Sequence, residues 1–282
     1  MKDNVVLKVE NLSYTYKNGH AALENINIEI RENEFVAIIG QNGAGKSTLL
    51  KNITRLLLPT CGDIYVNGKN TRDMTVAGVS REIGFVLQNP DRQLFADTVY
   101  EEIAYGLRNA GFGEEEVKTR IDETLEAVGL SDKREEFPPA LSKGDRAKVV
   151  IASVIAMRAR IIILDEPTSG QDYRGCYQIM NIAKELHAKG HTIIFVTHHM
   201  PLVAEYAQRT VVMAKKRVLL DDTARNVFSQ PEILATTNIN PPQITRFAAR
   251  LEGKVPISGT ILNVSELGDT LLSLRSSAQS RS

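Results

Sequence analysis

The sequence is short of cysteine, of net charge and of long apolar runs, and each shortage excludes something. Only Cys61 and Cys176 occur, which make neither a disulfide framework nor a metal-site spacing. Two free thiols suit a reducing compartment. Thirty-four Lys and Arg residues balance thirty-four Asp and Glu, for a net charge of zero. Nucleic-acid binding favours a clustered basic excess, so no nucleic-acid partner is expected. The longest apolar stretch, Val149 to Met157, is far below the ~20 residues that span a bilayer. The opening MKDNVVLKVE has no apolar signal core. Nothing in the sequence is therefore expected to cross a membrane by itself, although it could dock on one. No internal repeat is visible. At 282 residues the chain has room for one large α/β domain plus an appendage.

Against these absences stand clear periodicities. NVVLKVENLSYTY and ALENINIEI alternate apolar and polar residues like half-buried strands, and NEFVAIIG reads as a buried strand ending at Gly40. In KSTLLKNITRLL, Leu49, Leu50, Ile53, Leu56 and Leu57 fall at helical spacing, with Pro59 and Gly62 closing the helix. GDIYVNGK predicts a short strand and a turn at Asn67–Gly68. From Thr98 to Leu130 the pattern is mostly helical, until Pro138 and Pro139 break it. RIIILDE and HTIIFVTH read as buried strands flanking a helix from about Gly175 to Lys189, and TVVMAKKRVLLDD as a hairpin. Such alternation predicts a parallel sheet covered by helices. Beyond Pro231 a short helical tail, QITRFAARL, leads to a polar end, SSAQSRS, expected to be disordered.

The strongest chemical signal is GQNGAGKST, which fits G-x-x-x-x-G-K-[ST] between a buried strand and an amphipathic helix. Its residues Gly40, Gln41, Asn42, Gly43, Ala44, Gly45, Lys46, Ser47 and Thr48 are the candidate phosphate cradle. The glycines let main-chain N–H groups curl around phosphate oxygens without a Cβ in the way. The helix N-terminus adds partial positive charge. Lys46 supplies a point charge to the β- and γ-phosphates, and the Ser47 hydroxyl a ligand for Mg²⁺. IIILDEP ends in Asp165 at the strand edge where ligands of such sheets collect. Asp165 is expected to hold Mg²⁺ through its water shell, and Glu166 to act on the attacking water as general base or orienter. FVTHH delivers His198 to the same edge, where an imidazole could donate to developing charge. The adjacent His199 is read as structural.

Assembled in this way, the chain resembles the nucleotide-binding subunits of ABC transporters from Val5 to about Asn240. The family's motifs appear in order: an aromatic A-loop at Tyr16, the phosphate loop, Gln88 as Q-loop, LSKGD as signature, IIILDE as Walker B, SGQD as D-loop and His198 as switch histidine. GFVLQNPDRQLFADTVYEEIAYGL is similar to the ATPases of energy-coupling-factor and cobalt-type importers, and PPQITRFAARL fits that subgroup less specifically. The resemblance implies an α/β P-loop NTPase of ABC type. A RecA-like parallel sheet core would carry an antiparallel β subdomain and a helical subdomain at about 89–159. Residues 241–282 would form a C-terminal helical extension with the disordered tail.

The same resemblance implies residue roles. Tyr16 would stack on adenine, or Tyr14 if the register is shifted by two. The Gln88 amide would reach Mg²⁺ or the lytic water and begin the helical segment facing the membrane partner. Asp172 would cross a dimer interface and help shape the opposite site. The protein would be an ATPase on the cytoplasmic face of the membrane, using ATP and Mg²⁺. It would pair head to tail with a second ATP-binding subunit and drive a membrane-embedded transport subunit that works with a substrate-capture subunit. Import of a vitamin or a metal ion of the cobalt/nickel class is favoured; another ABC importer or an exporter is the alternative. A soluble ABC ATPase acting on DNA or ribosomes would be expected to carry a coiled-coil insertion, a second cassette or a basic surface, which this sequence does not display. Glu166 and His198 argue against a non-hydrolysing regulator.

Two motifs depart from the family pattern. Its signature is normally Leu-Ser-Gly-Gly-Gln and binds the γ-phosphate held by the other subunit. Ser142 and Gly144 remain as candidate contacts, and Ser142 as a helix cap. Lys143 introduces a side chain where glycine would let phosphate approach. Asp145 introduces a carboxylate that would repel triphosphate unless Lys143 or Arg146 neutralises it. Gln171 stands where the D-loop usually has leucine. The charge favours a sister ATPase over a second copy as partner; the alternative is tolerated drift, with Lys143 and Asp145 compensating each other.

Overall fold

The alternating N-terminal segments fold as the strands they predict. In the computed structural model, which describes residues 4–251, 253, 255–257 and 259–279, β1 (Val5–Thr15) and β2 (Ala21–Arg31) pair antiparallel. Then come β3 (Phe35–Gly40), α1 (Lys46–Ile53), β4 (Cys61–Val66), β5 (Lys69–Asn70), α2 (Val76–Glu82) and β6 (Ile83–Val86). Three helices come next: α3 (Val99–Asn109), α4 (Glu114–Val128) and α5 (Lys143–Ala156). The chain continues through β7 (Ile161–Asp165), α6 (Tyr173–Ala188), β8 (Thr192–Val196), α7 (Met200–Tyr206), β9 (Arg209–Ala214) and β10 (Arg217–Asp222). It closes with α8 (Ala224–Phe228), α9 (Pro231–Ala235), α10 (Gln243–Leu251) and α11 (Val264–Gln279).

Two sheets result, in the orders β2-β1-β4-β5 and β10-β9-β3-β8-β7-β6. The first is antiparallel, and the second is parallel except for the β9–β10 hairpin. Every residue of β3, β7 and β8 is buried, which explains why these strands read as continuous apolar runs rather than alternations. One face of the parallel sheet packs on α6, α7 and α8. The other packs on α1 and the antiparallel sheet, where Leu49, Leu50 and Ile53 are fully enclosed. Each such side chain contributes about 1.5–3 kcal/mol of burial. Helices α3, α4 and α5 share a third cluster that includes Val99, Ile103, Ile121 and Val149.

Three expectations need correction. The helix after the phosphate loop stops at Ile53, because Arg55 adopts a left-handed φ of 60° and fixes itself by donating from Nε to Thr71 O at 2.9 Å. Leu56 is thereby left exposed. Gln88 does not begin a helix; a 3-10 turn at Pro90–Arg92 and further loop precede α3. Part of the tail expected to be disordered is helical, since α11 runs to Gln279, while residues 280–282 lie outside the described residues. That helix had a readable start: Glu266 N donates to Asn263 Oδ1, and Leu262 N, one residue before that cap, donates to Glu266 Oε2, a close variant of the capping box.

Candidate active site

The register of the parallel sheet assembles the site. Ile38 pairs with Val196, and Val196 with Asp165. The ends of β3, β7 and β8 therefore lie level, and the residues after them share one edge. The phosphate loop leaves β3 with Gly43 at φ 80° and Gly45 at φ 102°. A Cβ on Gly45 would lie 2.6 Å from Ala22 O and 2.8 Å from Leu23 Cδ2, so only glycine fits its conformation and its neighbours.

Lys46 is 7% exposed. Its Nζ donates to Gly40 O at 2.7 Å and to Gln41 O at 3.1 Å. Burial lowers its pKa, opposed by the nearby Glu166 and Asp165 charges. Burial likewise raises the Asp165 carboxyl, helped by Glu166 and opposed by the Ser47 hydrogen bond and the Lys46 charge. Ser47 Oγ donates to Asp165 Oδ1 at 3.4 Å. Among the described residues no three His, Cys, Asp or Glu side chains form a metal cluster. A hydroxyl beside one carboxylate is instead the donor set that suits Mg²⁺, which keeps waters and substrate phosphates in its shell.

Glu166 follows Asp165 in a left-handed conformation, φ 48°, with its N–H donating to Val196 O at 3.0 Å. Gln88 Nε2 donates to Glu166 Oε2 at 2.8 Å, and His198 Nδ1 lies 3.5 Å from the same oxygen. Three residues from three separate strand ends thus meet at one carboxylate. His199, beside them, is half-buried and stands at the N-terminus of α7 without a side-chain capping bond; burial lowers its pKa, and His198 lowers it further.

These residues line an open cleft of about 730 Å³, within the size range of small-molecule sites. Asn42, Gly43, Gly45, Lys46, Ser47, Thr48, Gln88, Glu166 and His198 all face it. Tyr16 walls the far end, its hydroxyl 3.0 Å from Thr48 Oγ1, whereas Tyr14 packs edge-on against Tyr16 and into the core. Gly40 and Ala44 are buried beneath the loop, and Gln41 turns aside to accept from Asn238 Nδ2 at 3.3 Å. Three lining residues, His20, Ala22 and Ser169, escaped the sequence reading. His20 returns beside Tyr16 through the turn at Asn18–Gly19, a signal the sequence did carry. Ser169 is placed by its N–H bond to Glu166 O.

Ser142, Gly144 and Asp172 do not line this cleft. Ser142 caps α5, accepting from Asp145 N at 3.1 Å and donating to Asp145 Oδ2 at 2.8 Å. Asp172 caps α6, accepting from Gly175 N at 2.7 Å. The expected neutralisers of Asp145 are not the ones used. Arg146 pairs with Asp91, while Lys133 at 2.8 Å and Lys148 at 3.7 Å pair with Asp145. Burial would raise the Asp145 carboxyl, but the hydrogen bonds from Lys133 and Ser142 and the two ammonium charges outweigh it and hold the pKa below the ordinary value.

Comparison with known proteins shows the family and the fold. The family described as ABC transporter matches residues 23–169. The chain is 41% identical over 275 residues to the energy-coupling factor transporter ATP-binding protein EcfA2 of Caldanaerobacter subterraneus subsp. tengcongensis, covering 94% of this chain and 96% of the relative. It superposes on cbiO1 of Clostridium perfringens, described as part of the ABC transporter complex cbiONQ, with a TM-score of 0.76 and 36% identity, over 87% of this chain and 99% of that one. It also superposes on the ATP-binding cassette MJ0796, a dimeric post-hydrolysis state bound to ADP and Pi, with a TM-score of 0.70 and 31% identity, over 78% of this chain and 99% of that one. The chain spans less than half the length of other curated relatives it matches, such as an ABC transporter ATP-binding protein 45% identical over 264 residues, of which it covers 45%. With the family matched over more than half its length and a relative matched end to end, the chain belongs to the ATP-binding subunits of ABC transporters.

Proposed function

We propose that the chain hydrolyses ATP in this cleft and so powers an importer of the energy-coupling-factor type, for a vitamin or a cobalt- or nickel-class metal ion. The convergence of Gln88 and His198 on the Glu166 carboxylate, beside Lys46, carries the proposal. Lys46 exchanges two carbonyl contacts for phosphate oxygens, and Tyr16 stacks on the base. Ser47 and Asp165, with the amide oxygen of Gln88, would hold Mg²⁺, which neutralises phosphate charge when bound. A water held by Glu166 and Gln88 attacks the γ-phosphorus in line. The bond to the β–γ bridging oxygen breaks, and the water's proton passes to Glu166. ADP and phosphate leave, while His198 donates to the charge that develops on the γ-oxygens.

Residues 5–240 would form the ATP-binding domain, with the helical subdomain at about 89–159, and 241–282 an extension. A second ATP-binding subunit would supply its Ser142, Gly144 and Asp172 to the opposite site. The inward pairing of Asp145 with Lys133 removes the charge objection to a second copy in that role.

No described helix is long and apolar enough to cross a membrane; in this reading membrane-embedded and substrate-capture subunits would dock on the chain from the cytoplasmic side. An apolar groove of about 430 Å³, edged by the exposed Leu56, Val76, Phe95 and Tyr105, suits an amphipathic helix of the membrane subunit. Gln93 lines that groove and accepts from Leu87 N at 2.7 Å, so the groove wall is tied to the residue before Gln88. Turnover of purified chain and its Glu166→Gln variant tests the proposal. The variant is expected to bind ATP normally and to lose roughly 10²–10⁴-fold in rate; unchanged turnover would refute the role of Glu166.

A further inference from the structure

Two residues that the cleft does not use, Lys143 and Gln171, each lie against the other's neighbour. Lys143 opens α5, and Gln171 precedes the Asp172 cap of α6. Gly170 has φ 70°, and a Cβ placed on it would overlap Lys143 Nζ and lie 3.1 Å from Lys143 Cε. The lysine stem therefore runs along the open face of Gly170. In return, a Cβ on Gly144 would meet Gln171 Oε1 at 3.3 Å, and one on Gly175 would meet it at 3.0 Å. The carboxamide is wedged between the first turns of two helices. Lys143 covers the residue before Gln171, and Gln171 covers the residue after Lys143. Asp145, meanwhile, is occupied by Lys133 and Lys148, so the Lys143 ammonium is not drawn to it.

This contact reaches the cleft through one short turn. Ser169 N donates to Glu166 O at 3.0 Å, and Gln171 N donates to Thr168 O at 3.1 Å. Ser169 lines the cleft, and Glu166 holds the strained φ of 48°. A left-handed glutamate persists only where its surroundings over-determine it. The far end of its turn is held by Lys143 and Gln171, two of the three residues that depart from the family pattern.

We propose that Lys143 and Gln171 form a latch that positions, within a single chain, the turn from Glu166 to Gln171. Both are positioning residues: neither lines the cleft of its own chain, and both act through the direction of the Glu166 carboxylate. Their two departures form one compensating unit, because each side chain fills space beside a glycine next to the other. The kinetic consequence rests on the ATPase proposal, whereas the effect on the turn does not, so the two are measured separately.

The test uses the full chain without nucleotide, as wild type, Lys143→Gly, Gln171→Leu, the double variant and Lys143→Arg. Hydrogen–deuterium exchange of the peptide spanning 166–171 is followed beside steady-state ATP turnover. Each of the two disruptive single variants is expected to speed exchange there by about tenfold and to lower kcat by about tenfold with KM within about twofold. The double variant is expected to be no worse than the more affected single one. Lys143→Arg, which keeps a long cationic side chain over Gly170, is expected to exchange at the wild-type rate. Unchanged exchange in both disruptive single variants overturns the latch. Multiplicative losses in the double variant overturn the coupling, and a raised KM at unchanged kcat overturns the positioning role. Faster exchange in variants of a wild type that turns over no ATP would sink the ATPase proposal and support the latch.

Discussion

Replacing Lys46 by methionine separates the ammonium's effect on the fold from its effect on the nucleotide. The side chain is 7% exposed, with Nζ 2.7 Å from Gly40 O and 3.1 Å from Gln41 O. Burial holds its pKa below the ordinary lysine value of 10.5, so the folded chain binds this proton less tightly than the unfolded chain does. The stability cost is therefore fully present below the folded pKa and fades as pH rises towards 10.5. Methionine keeps the stem and removes that cost together with the two hydrogen bonds to Gly40 O and Gln41 O, each worth about 0.5–1.5 kcal/mol net. The two effects oppose each other, and the nucleotide-free thermal midpoint at neutral pH is expected to stay close to wild type. ATP loses its charged partner, and hydrogen bonds to charged groups contribute about 1.5–3 kcal/mol net. The expected loss is roughly ten- to 150-fold in Kd. Titration calorimetry reads the affinity, and differential scanning fluorimetry with and without ATP reads both effects. Wild-type affinity in the variant would refute the phosphate role of Lys46. A collapse of the nucleotide-free midpoint would refute the balance between relieved burial and the two lost hydrogen bonds.

Three further perturbations address separate parts of the site. Gly45→Ala combines a left-handed backbone costing about 1–2 kcal/mol with a Cβ against Ala22 O and Leu23 Cδ2, worth about 1–3 kcal/mol of overpacking; urea denaturation is expected to show both, and an unchanged midpoint would contradict the loop geometry. Tyr16→Ala is expected to lose about 1–3 kcal/mol of ATP affinity through base stacking, while Tyr16→Phe, which loses only the contact with Thr48, stays close to wild type in the same titration. Asp145→Asn removes a carboxylate whose pKa is held below 3.8. The stability that carboxylate contributes is present above the ordinary value and lost as pH falls through the folded one, so the midpoint gap between wild type and variant is expected to close in acid.

The site was largely legible because its chemistry is local to strand ends. Apolar runs such as IIIL and TIIFV declare buried parallel strands, and the residues after each run must emerge at the ligand edge. The motif at Gly40–Thr48 needs only its own sequence and the strand before it. Less legible were contacts that depend on distant partners. Nothing near Asp145 announces that Lys133, twelve residues earlier, will reach it at 2.8 Å, because the intervening loop path decides that. The same holds for Lys143 over Gly170, which requires α5 and the turn after β7 to meet. The early stop of α1 was hidden for another reason. Arg55 has no glycine-like signature, and its left-handed turn depends on the carbonyl of Thr71 sixteen residues on. The start of α11 was different: Asn263 and Glu266 spelled a close variant of the capping box in plain sequence.

The alignment of Gln88, Glu166 and His198 arises from pairing rather than from any affinity among the three side chains. Val86 pairs with Leu164, and Asp165 with Val196, so Gln88 and Glu166 each stand two residues beyond a paired partner, and His198 stands two beyond Val196. Val86 and Leu164 face the same core cluster. A slip of one residue in β7 would turn Leu164 out of that cluster and Asp165 into it, exchanging an apolar side chain for a carboxylate in the interior. The apolar core thus enforces the register, and the register sets the distances at the sheet edge. The left-handed Glu166, costing of order 1–3 kcal/mol, is held where β7 and β8 meet through its N–H bond to Val196 O. Loosening the β7–β8 core is therefore expected to release the carboxylate before it disturbs the phosphate loop, which takes its geometry from its own glycines and β3. Packing variants such as Ile162→Val, in β7 on the face turned away from α1 and the phosphate loop, should lower turnover more than ATP affinity, and an affinity loss equal to the turnover loss would contradict this separation.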